Sequence, residues 1–239
     1  MIQLKNINRV KALNNFCLVK ISNLGFDGKL KLPGTEIEVD TTFSPEKHVE
    51  LIGQVVRIPD RLTYQYRSRP GFPVNSMPWR TRIEIEKGDM VYIDYLEVLS
   101  ALGSFFSPMV NNNETSRFII TPAHDLYVFA HYSRIYAKLG EKGLKPINGN
   151  VILDATRSGI HRIKTSRGWD QFSKVLYTGN PVIKYIHNKN AKDAIVEPGD
   201  WVMVRKYHQI LLEHDLYKKQ DTLMSVVQGR DIIAKRNDI

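Results

Sequence analysis

Apolar residues in this chain come in short runs separated by turn residues. Glu197-Pro198-Gly199-Asp200 is a tight-turn sequence, and it launches Trp201-Val202-Met203-Val204, a run of β-branched and aromatic residues that suits a half-buried pleated surface. A polar connection containing His208 leads to the apolar run Leu223-Met224-Ser225-Val226-Val227, the turn Gln228-Gly229-Arg230-Asp231 and a closing Ile232-Ile233-Ala234. The stretch reads as turn, strand, loop, strand, turn, strand.

The same order occurs upstream. Glu86-Lys87-Gly88-Asp89 precedes Met90-Val91-Tyr92-Ile93, and Phe118-Ile119-Ile120 is followed by Thr121-Pro122-Ala123-His124-Asp125 and Leu126-Tyr127-Val128. Asn14 to Ile21 corresponds to Asn148 to Ala155, and Val49-Glu50-Leu51-Ile52-Gly53 to Lys174 to Gly179. Four landmarks in one order indicate an internal repeat, which sets the architecture before any other feature does. Two domains follow, 1–138 and 139–239, and many short strands between turns predict an all-β sandwich or barrel.

Other segments are less regular. Residues 22–45 hold Gly25, Gly28, Pro33, Gly34 and Pro45 with no sustained period, a long loop of the kind that is functional or mobile. Within it, Leu30 and Leu32 either fold back on their own domain or serve a partner. Gly53 to Asp89 spans 36 residues and Gly179 to Asp200 spans 21, so the first copy carries 15 extra, placed in Arg61 to Arg82. There Arg61, Arg67, Arg69, Arg80 and Arg82 interleave with Tyr64, Tyr66, Phe72 and Trp79. This insertion is either a self-packed loop or subunit contact, or a platform for single-stranded nucleic acid, with bases on the rings and phosphates on the arginines. Tyr136, Leu139 and Gly140 admit a short helix between the copies, and residues 182–195 read as a hairpin tipped by His187-Asn188-Lys189-Asn190.

Composition narrows the function. Hydrophobic residues make up 42% and charged ones 25%, the balance of a globular protein, and no apolar run approaches the roughly 20 residues of a membrane span. The first ten residues alternate apolar and polar without a signal-like core, so a cytoplasmic protein is expected. The single cysteine, Cys17, sits in an apolar run and reads as a buried, inert thiol. A net charge of +9 raises the question of nucleic acid, although lysine and arginine are spread through most segments. The seven histidines show no HExxH spacing, and no glycine-rich phosphate loop or G-x-S-x-G occurs, so no enzyme, metal or cofactor is expected. His208 and His214 share a loop and read as exposed polar residues. Asp89 and Asp200 follow glycine in turns, where a carboxylate accepts backbone N–H bonds.

The residues resemble a family. The run Leu144-Lys145-Pro146-Ile147-Asn148-Gly149-Asn150-Val151-Ile152-Leu153, the strand Lys174 to Asn180, the turn Val196 to Val202 and the closing segment Leu223 to Ala234 are similar, in that order, to the GroES-like co-chaperonins, the chaperonin-10 family. The likeness covers nearly all of the second copy and reaches the first at Leu18, Gly53, Gly88-Asp89 and Asp125-Leu126. It departs at Gly149-Asn150, where the family has Asp-Arg. The resemblance implies two tandem, partly closed GroES-like β-barrels that form a homo-oligomer. Each family member docks on a GroEL-like chaperonin ring through a mobile loop between its first two core strands. Here that loop maps to Gly28, Leu30, Leu32 and Pro33, and more weakly to Gly159, Ile160 and Ile163, because Arg162 replaces the second apolar residue. The implied function is a non-enzymatic lid that assists protein folding. The alternative is a structural or nucleic-acid-binding module that reuses the same fold.

Overall fold

The computed structural model describes residues 7–21, 29–31, 36–40, 51–64, 76–98, 118–123, 125–141, 143–155, 172–186, 188, 190–205, 208–212 and 224–236. Its strands are β1 (Phe16–Ile21), β2 (Lys29–Lys31), β3 (Glu38–Asp40), β4 (Ile52–Arg57), β5 (Trp79–Arg80), β6 (Met90–Ile93), β7 (Phe118–Ile120), β8 (Leu126–His131) and β9 (Ile135–Gly140). They continue with β10 (Gly143–Pro146), β11 (Asn150–Asp154), β12 (Phe172–Thr178), β13 (Lys184–Tyr185), β14 (Trp201–Val204), β15 (Ile210–Leu211), β16 (Met224–Gln228) and β17 (Ile232–Arg236). Helix among the described residues is confined to 3-10 turns and one turn at 95–98, so the class is all-β, as the pattern of short runs predicts. None of it is long and apolar enough to cross a membrane. Contacts divide the chain into two units: Met1–Met77 with Ile85–Ile135, and Pro78–Glu84 with Tyr136–Ile239.

In the first unit the strands run β6-β4-β1-β8-β7, all antiparallel. β1 is central: Val19 faces Val55 on one side and Val128 on the other, and Cys17, Leu18 and Val19 are fully buried. Burial pushes the Cys17 thiol up to about 12, so it is protonated and inert at neutral pH, the state expected of an apolar run. One hydrophobic cluster joins Leu18, Ile119 and Tyr127, with Ile7, Val10, Val56 and Phe129 packed against it.

The second unit holds an open six-stranded sheet, β15-β16-β11-β12-β14-β17. Its core joins Val151, Leu153, Val175, Val202, Val227 and Ile232. Each such side chain removed from water contributes about 1.5–3 kcal/mol.

The two units repeat one another in detail. β11 lies between β12 and β16 as β1 lies between β4 and β8, and the ladder to the second strand shifts register at the same step, between Leu18 and Val19 and between Ile152 and Leu153. The residue that introduces each turn before the central strand is left-handed, Asn14 at φ 56° and Asn148 at φ 60°. The Glu-x-Gly-Asp turns also match. Gly88 and Gly199 have φ of 99° and 101°, and Asp89 and Asp200 accept the N–H of Glu86 and Glu197 at 2.9 and 2.7 Å. Each turn is tied to the second strand by a pair of backbone bonds: Val55 N–H to Asp89 O with Gly88 N–H to Val55 O, and Val175 N–H to Asp200 O with Gly199 N–H to Val175 O.

This register corrects two of the sequence matches. Gly53 pairs with Ile21, which makes its counterpart Ser173 rather than Gly179. Met90 follows its partner Gln54 by 36 residues and Trp201 follows Lys174 by 27, so the first copy's excess is nine residues rather than 15. The closing landmark of the first copy is also displaced. β8, the 3-10 turn Tyr132–Arg134 and β9 correspond to β16, the 3-10 turn Gly229–Asp231 and β17, whereas the sequence paired Phe118 to Val128 with that segment.

Three local expectations change as well. Residues Tyr136 to Gly140 form a strand paired with β10, not a helix, because Gly143 at φ 113° closes a tight hairpin on Gly140. Among the described residues of the hairpin expected over 182–195, the strand is Lys184–Tyr185, and it pairs with Trp79–Arg80 rather than within the segment. The 22–45 segment carries the β2–β3 ribbon, with Lys29 opposite Asp40, Leu30 opposite Val39 and Lys31 opposite Glu38.

Gly53 is required by close approach rather than by its dihedral angles, since a Cβ there would lie 2.5 Å from Lys20 O and 2.6 Å from Val19 Cγ1. Gly53→Ala is therefore expected to lower the unfolding free energy by about 2–3 kcal/mol. Gly88→Ala, in open space but at positive φ, should cost about 1 kcal/mol. Urea titration of both variants checks the order, and equal costs would remove the close-approach account.

Candidate functional site

The residues singled out for partner binding fall mostly outside the described residues. Gly28, Leu32 and Pro33 do so, as do Gly159, Ile160 and Ile163 of the second loop. The backbone of Leu30 is placed in β2, within the ribbon that lies between the first two core strands. At that ribbon Ile37 is 58% exposed and its neighbours Glu36 and Glu38 are exposed too. Sequence reading passed over Ile37, although its signal is a lone β-branched residue between two glutamates. A short antiparallel ribbon holds its backbone in fixed pairing, so fewer degrees of freedom are lost on docking than from a coil.

The arginine-aromatic insertion is divided between the units. Residues 65–75 lie outside the described residues, and Pro78–Glu84 is counted with the second unit. Trp79 is buried there at 6% exposure, edge-on to Tyr185 with ring centres 6.2 Å apart. Its ring is therefore occupied as a packing surface and does not belong to an open base-stacking platform. The Arg230 guanidinium lies 4.9 Å from the Tyr185 ring centre and 5.7 Å from that of Trp79, a cation–π arrangement at the rim.

Asp193 anchors this cluster. Its carboxylate accepts the Val182 N–H at 2.5 Å and the Tyr185 hydroxyl, and it is pressed between glycines. A Cβ on Gly149 would come within 2.9 Å of Asp193 Oδ2, and one on Gly229 within 2.9 Å of Asp193 Cβ. Burial pushes the Asp193 carboxyl above its usual range, against the hydrogen bonds from Tyr185 and Val182 and the charge of Arg230. Burial likewise raises the Tyr185 hydroxyl, reinforced by its bond to Asp193. The Asp193 carboxylate and the Tyr185 hydroxyl are engaged with one another, and the buried Trp79 indole N–H has no hydrogen-bond partner.

A second surface was missed in the sequence. Register places Phe172 beside Met203, Lys174 beside Trp201, Trp201 beside Arg236 and Met203 beside Ala234, so these six residues share one face of β12, β14 and β17. Lys174 is exposed and the other five are half-buried. The Arg236 guanidinium sits 5.2 Å from the Phe172 ring centre and 5.6 Å from that of Trp201. The alternation in Phe172-Ser173-Lys174-Val175 and Trp201-Val202-Met203-Val204 carried this signal, but which strands adjoin is not a local property.

Of the histidines, His131 caps the 3-10 turn by accepting from Ser133 N, and its ring contacts Ser133 Oγ at 2.8 Å. His208 Nδ1 lies 3.2 Å from Asp231 Oδ2, while His214 lies outside the described residues. Among the described residues no group of three or more His, Cys, Asp or Glu is placed to hold a metal ion.

Because the folded protein holds the Asp193 proton more tightly than the unfolded chain does, protonation favours the fold. Its contribution is full below the ordinary carboxylate range and is lost as pH rises through the higher folded value. The stability advantage of wild type over Asp193→Asn should therefore shrink as pH rises from 4 towards 8, read as the difference in urea midpoints. A difference that does not vary with pH would show that burial does not act on this carboxyl.

No family model matches the sequence, and no curated protein matches it.

Proposed function

We propose that this protein is a non-enzymatic, co-chaperonin-like lid of the cytoplasm, built from two GroES-like, partly closed barrels, which oligomerises and docks on a GroEL-like chaperonin ring. The observation that carries this reading is the β2–β3 ribbon, which falls between β1 and β4 in the chain and has the exposed Ile37 beside it, at the place where the resembled family keeps its docking loop. The doubled strand order and the paired Glu-x-Gly-Asp turns add support. A lid must leave on every cycle. A few apolar side chains give weak individual contacts, and repetition around a ring multiplies them into useful avidity.

The expected outcome is co-elution with a GroEL-type chaperonin in the presence of ATP, and its loss when Leu30, Leu32 and Ile37 are all changed to Asp. Co-elution that survives the triple change would sink the assignment of the ribbon.

The second reading, a nucleic-acid-binding module, is favoured by the face of β12, β14 and β17. Bases would stack on Phe172 and Trp201 in place of the Arg236 guanidinium that lies over both rings, which would turn with Lys174 to the phosphates. Under this reading the chain binds oligo-dT at low salt, its affinity falls steeply as salt rises, and Phe172→Ala with Trp201→Ala weakens it. No binding at low salt would dismiss it.

A further inference from the structure

Each unit closes the end of its third core strand against a 3-10 corner with the same backbone bond. In the first unit Asp94 N–H donates to Arg134 O at 2.8 Å, and in the second Arg205 N–H donates to Asp231 O at 2.8 Å. The residues are equivalent by register, since Asp94 follows the Gly88-Asp89 turn by the same interval as Arg205 follows Gly199-Asp200. Arg134 and Asp231 each close the 3-10 turn that follows the last inner strand. At these equivalent positions the charges are exchanged. Strand-end Asp94 meets corner Arg134, Oδ2 to Nη1 at 3.0 Å, whereas strand-end Arg205 meets corner Asp231, Nη1 to Oδ1 at 3.9 Å.

Both carboxylates are buried, with side-chain exposures of 3% for Asp94 and 7% for Asp231. Asp94 also accepts the Leu96 N–H at 2.9 Å, and Asp231 also lies 3.2 Å from His208 Nδ1 and 3.8 Å from Arg230 Nε. A buried carboxylate is tolerated only beside such partners, and one facing another carboxylate is not.

We propose that this inverted pair is a discrimination device which keeps the corner of one copy from docking on the strand of the other during folding. Two copies with the same strand order, the same turns and the same backbone bond can in principle exchange elements, the characteristic failure of repeated domains. An exchanged pairing would satisfy the backbone as well as the native one does. It would also bring Asp94 against Asp231 where both are buried, and Arg134 against Arg205. Each copy's own pairing joins opposite charges, and either exchange joins like ones. Specificity here comes from a penalty on the wrong partner more than from extra attraction to the right one.

The test compares three variants with wild type. D94R/R134D gives both copies the second unit's polarity, R205D/D231R gives both the first unit's, and the fourfold variant inverts both and restores the difference. In all three the strand-end and corner residues of each copy still carry opposite charges; D231R also sets an arginine beside Arg230 and His208, a disturbance that the second double and the fourfold variant share. The measurement is the fraction of protein that returns to the native size-exclusion position after dilution from urea, with equilibrium stability measured in parallel. A several-fold loss of refolded protein is expected in both double variants, with recovery in the fourfold variant, which carries every local disturbance of both doubles. Refolding of the doubles at the wild-type yield, or a fourfold variant no better than the worse double, overturns the proposal.

Discussion

Each unit depends on one strand whose two hydrogen-bonding edges are both taken. β1 and β11 sit between two antiparallel neighbours, so their backbone groups are satisfied away from water and their side chains fill the core on both faces. A slip of one residue would turn every side chain to the opposite face. The register shift at Leu18/Val19 and at Ile152/Leu153 fixes that alignment, and the left-handed Asn14 and Asn148 set where each strand begins. The Glu-x-Gly-Asp turns then hold the third strand to the second by bonds that close around Val55 and Val175.

The core strands around β1 and β11 were legible as apolar runs between turns, though β9 was read as a helix, and the Glu-x-Gly-Asp turns were legible too, because glycine at positive φ and an accepting carboxylate are local requirements. Strand partnership was not. Phe118-Ile119-Ile120 and Leu126-Tyr127-Val128 are both apolar runs flanked by turn residues, and nothing in them says which one lies beside the central strand. Trp79 shows the same limit at long range. Its aromatic, arginine-rich surroundings suggest an open surface, whereas its burial depends on Tyr185, more than a hundred positions later. For the 22–45 segment, the sequence offered Leu30 and Leu32 but not the ribbon, whose pairing needs a partner strand seven residues further on with no intervening Asn-Gly signal.

The copies have diverged on one face. Ile52 and Tyr92, on β4 and β6, are buried, while their counterparts Phe172 and Met203 on β12 and β14 are half-buried beside Arg236. Gln54 and Met90, which complete that face in the first copy, are exposed, so identical pairing carries a neutral face in one copy and a cationic one in the other. Such divergence needs no change of topology, only different side chains at fixed register positions.

The second unit takes in Pro78–Glu84, and this has a consequence for the order in which the chain can mature. On the ribosome that segment is made well before Tyr185, so the indole of Trp79 emerges before the ring it packs against in the folded protein exists. For the same reason, a cut between the copies would separate β13 from its partner strand β5 and Tyr185 from the indole it packs against.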